Sequence, residues 1–384
     1  MKHDVAYLGF FQKMYLSKDV FLIPYYLAKK HNMRLNVVYG SNMGDKELPS
    51  IYRGVTFKGR QRKKINAFCE IIDWFAHILP DAKKINSLFF CGCSAHHMIL
   101  TWLLLKINPS ISVIVFGDME KQQAQEIYDT GFVYGKGLRA LLKKKLTQFF
   151  FTHVKFTVAN ECAFRLMEKA YTKYGWNGLV SLYPCLDDEM FNCLGLKFRE
   201  WKDKENIMLY VGRIGNKQKN TDMLLKALSM VNLKDWKVYL VGPITDSFEI
   251  GKTSNYQDRI NLFFDNNPHL KGKVFFTGMI YDSKQIFDLY LRAKVFLLTS
   301  RHEGFANVLS QAAACGCYFI STDVGGAETA SNNWKFGTKI PQEDSEAFAN
   351  AVRGIVDGGN IIDESLKPDK EFFLYSTVLS GKQL

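Results

Sequence analysis

A chain of 384 residues with 47% hydrophobic and 23% charged residues is too long for one small core and too apolar to be disordered or collagen-like, so two globular domains of ordinary size are expected. The net charge of +12 is unevenly placed: up to Leu186 there are 26 Lys/Arg against 13 Asp/Glu, and beyond it 24 against 25. A basic half rich in aromatic residues points to a membrane surface or a lipid-phosphate partner ahead of plain solubility charge, and nucleic acid is not expected.

The amino terminus, MKHDVAYLGF, leads directly into a strand-like run, without the charged, apolar and small-residue segments of a signal peptide. Strands are expected at 5–10, 35–39, 88–91, 112–116, 156–159 and 181–183, with helices such as 20–31 and 97–107 between them. Short runs of Val, Ile, Phe and Tyr alternating with longer amphipathic segments indicate βαβ units and a parallel sheet. Two basic stretches interrupt this half: the cluster Arg53, Lys58, Arg60, Arg62, Lys63 and Lys64, and the segment GKGLRALLKKKLTQFFF at 135–151. Each suits either an anionic lipid surface or a solvated lysine face over the core.

The polar stretch 187–205 reads as a linker after a first domain, 1–186. A second domain, 206–365, restarts the strand series at 207–211, 237–241, 273–277, 295–298 and 318–321. Residues 366–384 form a tail expected to pack back on the first domain. The expected fold is therefore α/β, two doubly wound Rossmann-like domains facing each other across a cleft, with ligands beyond the carboxyl ends of the strands. No uncharged apolar stretch approaches the roughly 18 to 20 residues that cross a bilayer, so a cytoplasmic protein is expected, one able to rest on the inner face of a membrane. Eight scattered cysteines, with no C-x-x-C pair and no Cys/His zinc spacing, read as buried free thiols in a reducing compartment.

Two segments carry chemistry. IMLYVGRIGNKQKNTDMLLKALSMV reads as a strand, a turn at Gly212, and a helix with Leu224, Leu225 and Leu228 on one face, so Arg213 and Lys219 leave the strand end together. Such a pair of cations suits a diphosphate, Arg forking onto two oxygens and Lys supplying a mobile charge; the alternative is a solvated basic loop. VFLLTSRHEGFANVLSQAAACGCYFISTDVGGAET repeats the strand, loop and helix pattern and delivers Glu303 beside the backbone of Gly304, Phe305, Ala306, Asn307 and Val308. Amides at a helix start attract anions, whereas a carboxylate there suits sugar hydroxyls or caps the helix. Ala312, Ala313 and Ala314 let that helix pack closely, and Gly316 ends it.

In this order and about 90 residues apart, the two segments resemble the donor half of glycosyltransferase family 4, the retaining group with the GT-B fold. The resemblance covers 206–359, and YPCLDDEMF at 183–191 is similar to the family's domain-closing strand and linker. It implies that Glu303 contacts the transferred sugar, that Arg213 and Lys219 hold the pyrophosphate, and that Gly304 to Val308, with Gly212, line the donor. The family pattern E-G-F-G-x-x-x-x-E is departed from at Ala306 and at Gln311; the second acid holds the ribose diol, and Gln311 offers a neutral acceptor and donor in its place. Lys18, Asp19 and Val20 before IPYYLAKK resemble an opening of bacterial polysaccharide members, with Phe21 replacing Gly. Asp118, after the strand at 112–116, is either an acceptor-facing polar group or base, or a helix cap; His96 and His97 are the alternative on the acceptor side, or are structural.

No D-x-D pair stands near either loop, so the departing diphosphate is expected to be neutralised by Arg213, Lys219 and helix dipoles, without metal or cofactor. The sequence is thus read as a retaining glycosyltransferase moving a sugar from a UDP- or GDP-sugar to a saccharide or lipid-linked acceptor in cell-surface polysaccharide synthesis. A nucleotide-sugar epimerase on the same fold and a non-catalytic nucleotide-sugar-binding protein are the competing readings.

Overall fold

The computed structural model describes residues 2–43, 45, 48–63, 66–133, 136–245, 255–359 and 362–382; Lys64 and Gly135 of the basic stretches lie outside the described residues. The chain divides into two units, 1–184 with 375–384, and 185–374.

The apolar runs read from the sequence are strands buried on both faces, because parallel strands flanked by helices leave no wet side. In the first unit these are β1 (His3–Leu8), β2 (Leu35–Asn42), β3 (Ile51–Tyr52), β4 (Val55–Arg62), β5 (Ile85–Cys91), β6 (Ser112–Gly117), β7 (Lys155–Val158) and β8 (Leu179–Ser181). Their order is β3-β4-β2-β1-β5-β6-β7-β8, parallel except for β3 against β4. Val5, Tyr7, Leu88, Phe90, Val113 and Val115 pack with Trp74, Met98, Leu104 and Phe150 in one core.

The β3–β4 hairpin has no counterpart among the expected strands, because residues 58–61, beyond Phe57, are exposed and carry no apolar side chain. It closes through Arg53 and Gly54, both at positive φ (49° and 76°), the conformation of a two-residue turn that matches strand twist. Gly59 lies opposite Tyr39, and a Cβ there would fall 2.0 Å from the phenol ring. The basic cluster on this hairpin is partly engaged: Arg62 pairs with Asp73, and the Arg53 guanidinium lies 5.4 and 5.6 Å from the ring centres of Tyr25 and Tyr52.

The second unit contains β9 (Glu205–Val211), β10 (Lys237–Val241), β11 (Val274–Gly278), β12 (Ala293–Leu298), β13 (Tyr318–Thr322) and β14 (Gly337–Ile340), in the order β11-β10-β9-β12-β13-β14, all parallel. Short and only partly buried, β14 was not among the expected strands. Residues 187–205, read as linker, belong to this unit, and Lys204 is buried in it. Its ammonium donates to the carbonyls of Leu291 (3.1 Å) and Ala293 (2.9 Å), closing the end of the helix Ser283–Arg292 with a cation where carbonyls are otherwise unpaired.

The helix Tyr375–Ser380 belongs to the first unit. There Tyr375 stacks on Tyr26 at 5.3 Å, and Lys30 donates to the carbonyls of Leu379 and Lys382. All eight cysteines are free thiols, but only Cys185, Cys315 and Cys317 are buried; Cys91 and Cys193 are exposed, contrary to the uniform burial expected. Among the described residues no helix is long and apolar enough to cross a membrane.

Candidate active site

In the second unit the strand order reverses between β9 and β12: from β9 the chain moves outward to β10 and β11, then returns to β12 on the other side. The loops leaving these two adjacent strands therefore diverge and open a crevice at their carboxyl ends. Those loops are the two segments singled out in the sequence.

After β9 the backbone is held against the next strand. The Gly212 amide donates to Val241 (2.9 Å), and Gly242, at φ +145°, approaches so closely that a Cβ would lie 1.9 Å from the Gly212 oxygen. Gly215, at φ +83°, turns the chain, and its amide donates to the hydroxyl of Thr221 at the start of the helix Thr221–Ser229. The Asn216 carbonyl receives the amides of Lys219 and Asn220, so the loop is a compact turn that presents Gln218 and Lys219 on one side.

After β12 the loop is tied to the first one. Thr299 donates to the Lys219 carbonyl (3.0 Å), the Arg301 amide donates to the Gln218 carbonyl (2.8 Å), and the Arg301 guanidinium donates to the Lys217 carbonyl. Arg301 also grips Glu343 through two nitrogens (2.6 and 3.1 Å), and these bonds outweigh burial and hold the Glu343 carboxyl below its usual range. Asn220, at φ 48°, donates to the same carboxylate.

These ties bring the predicted residues of the second unit together. Lys219 Nζ meets Glu303 Oε1 at 2.5 Å, with the two side chains 13% and 9% exposed. Arg213 is exposed, and its Nη2 donates to Gln218 Oε1 (2.8 Å); Gln218 in turn donates to the His302 carbonyl (2.9 Å) and faces Glu303 Oε2 at 3.4 Å. Beneath them Tyr210 is fully buried and donates to the Arg213 carbonyl; burial first, then the Glu303 charge, raises its hydroxyl far above the usual phenol range. The three charged residues were legible by type and spacing. Gln218, Arg301 and Glu343 were not, since a glutamine and an ion pair in loops carry no signal of their own.

The helix Asn307–Ala314 begins at Ala306 with no side-chain cap, leaving first-turn amides of Asn307 and Val308 without intrahelical partners. Ala306 is in the extended region (φ −74°, ψ 115°), so the methyl group that replaces the family's glycine hydrogen brings no strain. Phe305 is buried against Gly326, where a Cβ would lie 2.9 Å from the ring. Gln311 is half-buried four residues after Asn307, on the same helix face.

The acceptor-side candidates lie in the first unit, where the order reverses between β1 and β5. Asp118 follows β6 but does not cap the next helix; Glu120 does, in a capping box with Gln123. Burial, then the charge of Asp118, pushes Asp19 up to about 6. His96 and His97 stand in the first turn of the helix Ala95–Ile107, and both Nε2 atoms meet Glu70 Oε2, at 2.7 and 3.1 Å. Burial would raise the Glu70 carboxyl, but hydrogen bonds from His97 and His96 outweigh it and hold the carboxyl below its usual range. Glu70 was not anticipated from the sequence.

Residues 205–357 match the family described as Glycosyl transferases group 1. The second unit carries a group 1 glycosyl transferase domain. All the site residues of that unit described above lie within this glycosyl transferase domain. The chain is similar to an N-acetylgalactosamine-N,N'-diacetylbacillosaminyl-diphospho-undecaprenol 4-alpha-N-acetylgalactosaminyltransferase of Campylobacter jejuni, 25% identical over 181 residues that make up 46% of this chain and 44% of that one. It spans less than half the length of the curated relatives it matches in sequence. Among solved structures it is similar to the lipopolysaccharide outer core galactosyltransferase WaaB, with a TM-score of 0.64 and 12% identity over 98% of this chain and 97% of that one. The Anabaena protein HepE in complex with UDP and glucose gives a TM-score of 0.57 and 13% identity over 98% and 95%. These likenesses show the GT-B fold for the whole chain.

Proposed function

We propose that this chain is a retaining glycosyltransferase that takes a sugar from a UDP- or GDP-sugar and places it on a saccharide or lipid-linked acceptor in the synthesis of a cell-surface polysaccharide. The observation that carries the proposal is the joining of Arg213, Gln218, Lys219 and Glu303 where the sheet order reverses, inside the matched domain. A diphosphate entering there competes with Glu303 for Lys219, which frees the carboxylate to accept hydrogen bonds from the sugar. Arg213 and Lys219 then stabilise the charge that develops as the bond between the anomeric carbon and the diphosphate oxygen breaks. The acceptor oxygen bonds to the anomeric carbon on the same face, and its proton passes to the departing phosphate oxygen, so no protein nucleophile and no metal on the diphosphate are needed. The Campylobacter relative named for a diphospho-undecaprenol substrate and the UDP complex of the Anabaena neighbour support this choice of acceptor and donor class.

The basic half supports a membrane-surface location. The helix Leu138–His153 buries Thr147, Phe150 and Phe151 but leaves Leu138, Leu141 and Leu142 exposed (72%, 51% and 58%) beside Arg139, Lys143, Lys144 and Lys145. Apolar side chains ringed by cations match anionic lipid headgroups over acyl chains.

The test is twofold. A thermal-shift panel of UDP-, GDP- and ADP-sugars is expected to single out one nucleotide. With that donor, Arg213→Ala and Glu303→Ala are each expected to lower transfer by about 100-fold or more with the fold intact; full activity in both variants would refute the assignment.

A further inference from the structure

Among the described residues, Glu70, His96 and His97 of the first unit form a cluster of potential metal ligands that the reaction above does not use. We propose that these three residues form a binding site for a divalent transition-metal ion of the zinc type. The proposal concerns the first unit alone and does not depend on the donor reading of the second.

The donor set is two imidazoles and one carboxylate, with ligand atoms that all lie within 4.8 Å of one another. Both Nε2 atoms converge on Glu70 Oε2, at 2.7 and 3.1 Å, and the two rings face each other with centres 4.2 Å apart. Behind them Ser94 Oγ lies 2.8 Å from His97 Nδ1 and sits over the His96 ring, 2.8 Å from Nδ1 and 3.3 Å from Nε2. Two imidazole nitrogens and a carboxylate oxygen therefore meet at one point, which is a donor set that a zinc-type cation takes.

With both rings as Nδ1–H tautomers, His97 donates to Ser94 Oγ, and the two Nε2 lone pairs and the carboxylate are free to bind one cation. A metal-bound imidazole characteristically donates its other N–H in this way, which fixes the tautomer and the ring orientation. Zinc holds nitrogen and oxygen ligands at about 2.0–2.2 Å in a tetrahedron, which spaces neighbouring ligand atoms about 3.3 Å apart, so the His96–Glu70 contact need open by only roughly 0.6 Å.

The surroundings hold the ligands in place. The His97 ring is buried and stacks on Phe90 at 5.3 Å, and Gly92, at φ +101°, runs so close that a Cβ would lie 3.0 Å from the imidazole. The Gly9 backbone lies over Glu70, where a Cβ would fall 2.4 Å from Oε1. Three protein ligands leave a fourth position for water or a substrate oxygen, as in zinc sites that act on ligands rather than only on the fold. Gly9 and Gly92 follow β1 and β5, so this position belongs to the switch point of the first sheet, where doubly wound sheets bind their ligands.

The test is titration of the chelator-treated full-length chain with Co²⁺, followed by visible ligand-field absorption, with Zn²⁺ and Mg²⁺ as competitors. One equivalent of Co²⁺ with bands of a four-coordinate N/O site is expected, displaced by Zn²⁺ and not by a comparable concentration of Mg²⁺. Because His97 is buried, the ligand variant is His96→Ala, whose fold is checked by circular dichroism; it is expected to weaken binding by about 100-fold, and Ser94→Ala by about 10-fold. Absence of Co²⁺ binding in the native chain, or binding that His96→Ala leaves unchanged, overturns the proposal. The first of these outcomes identifies the cluster as a histidine pair hydrogen-bonded to Glu70.

Discussion

Lys219 and Glu303 stand 84 residues apart in the chain and 2.5 Å apart in the fold, both largely withdrawn from solvent. The contact joins the loop after β9 to the loop after β12, and it exists because those strands are neighbours in the sheet although β10 and β11 separate them in sequence. Removing one partner of a buried pair costs about 3–5 kcal/mol, because the other charge is left uncompensated. With water at the edge of this pair, Lys219→Ala and Glu303→Ala are each expected to cost about 1–3 kcal/mol. The double variant is expected to be less destabilised than the sum of the two, with a coupling of about 1 kcal/mol in urea unfolding; additivity to within about 0.3 kcal/mol would show that the contact contributes nothing of its own.

Gln311 occupies the place where the family pattern has a second acid, on the helix face shared with Asn307. A charged acceptor binds a hydroxyl pair about 1 kcal/mol more strongly than a neutral one, so Gln311→Glu is expected to tighten nucleoside diphosphate binding by about 3- to 10-fold. Calorimetric titration with UDP and GDP reads this directly. Unchanged or weaker binding would remove Gln311 from the ribose contact.

Asp19 opens the helix Asp19–Lys30 with its carboxyl raised from the ordinary 3.8 to about 6, by burial first and then by the charge of Asp118. Below about pH 4 the group is protonated in both folded and unfolded chains and has no effect. As pH rises toward 6 the unfolded chain releases the proton first, the folded state binds more protons, and stability falls; above pH 6 the loss is constant. Asp19→Asn should therefore gain on the native chain between pH 4 and pH 6 and hold that gain to pH 7. Melting temperatures taken at intervals across the range test this, and parallel curves for the two proteins would contradict it.

Leu141 and Leu142 are exposed within a basic helical face. Replacing both with Glu removes apolar area and adds like charge to the lipid surface, so binding to vesicles containing phosphatidylglycerol is expected to fall by at least about 10-fold. Raising salt to about 0.5 M should weaken the native chain in the same assay, since exposed charges are screened over a shorter distance. Equal sedimentation of native and substituted chains with vesicles would place the lipid contact elsewhere.

Strands buried on both faces were readable because nearly every position along them is apolar: the expected 207–211, 237–241 and 318–321 lie within β9, β10 and β13. The expectation failed where burial is partial. β4 reads as a charged loop because only Val55 and Phe57 face the core, and β14 is four residues at a sheet edge. At the site, Arg213, Lys219 and Glu303 stood out because two cations and one acid stand in loops that run from a strand end into a helix, in the order of a known family pattern. Gln218 and the Arg301–Glu343 pair did not, because their part is to fasten one loop to another, which is visible only when both loops are in place. Glu70 escaped notice for the same reason: in sequence it is one acid in an ordinary helix, 26 residues from the histidine it meets.

Local chemistry in the sequence, through apolar period, glycine placement and charge at strand ends, determined an α/β protein with two parallel sheets and three charged residues suited to a sugar diphosphate. The order of the strands was left to the tertiary structure, since helices of similar pattern fit either face of a sheet and the chain carries no local mark of where it turns back. That order sets β9 beside β12 and β1 beside β5, and with it which loops share a crevice, which charges neutralise one another, and which histidines find a carboxylate.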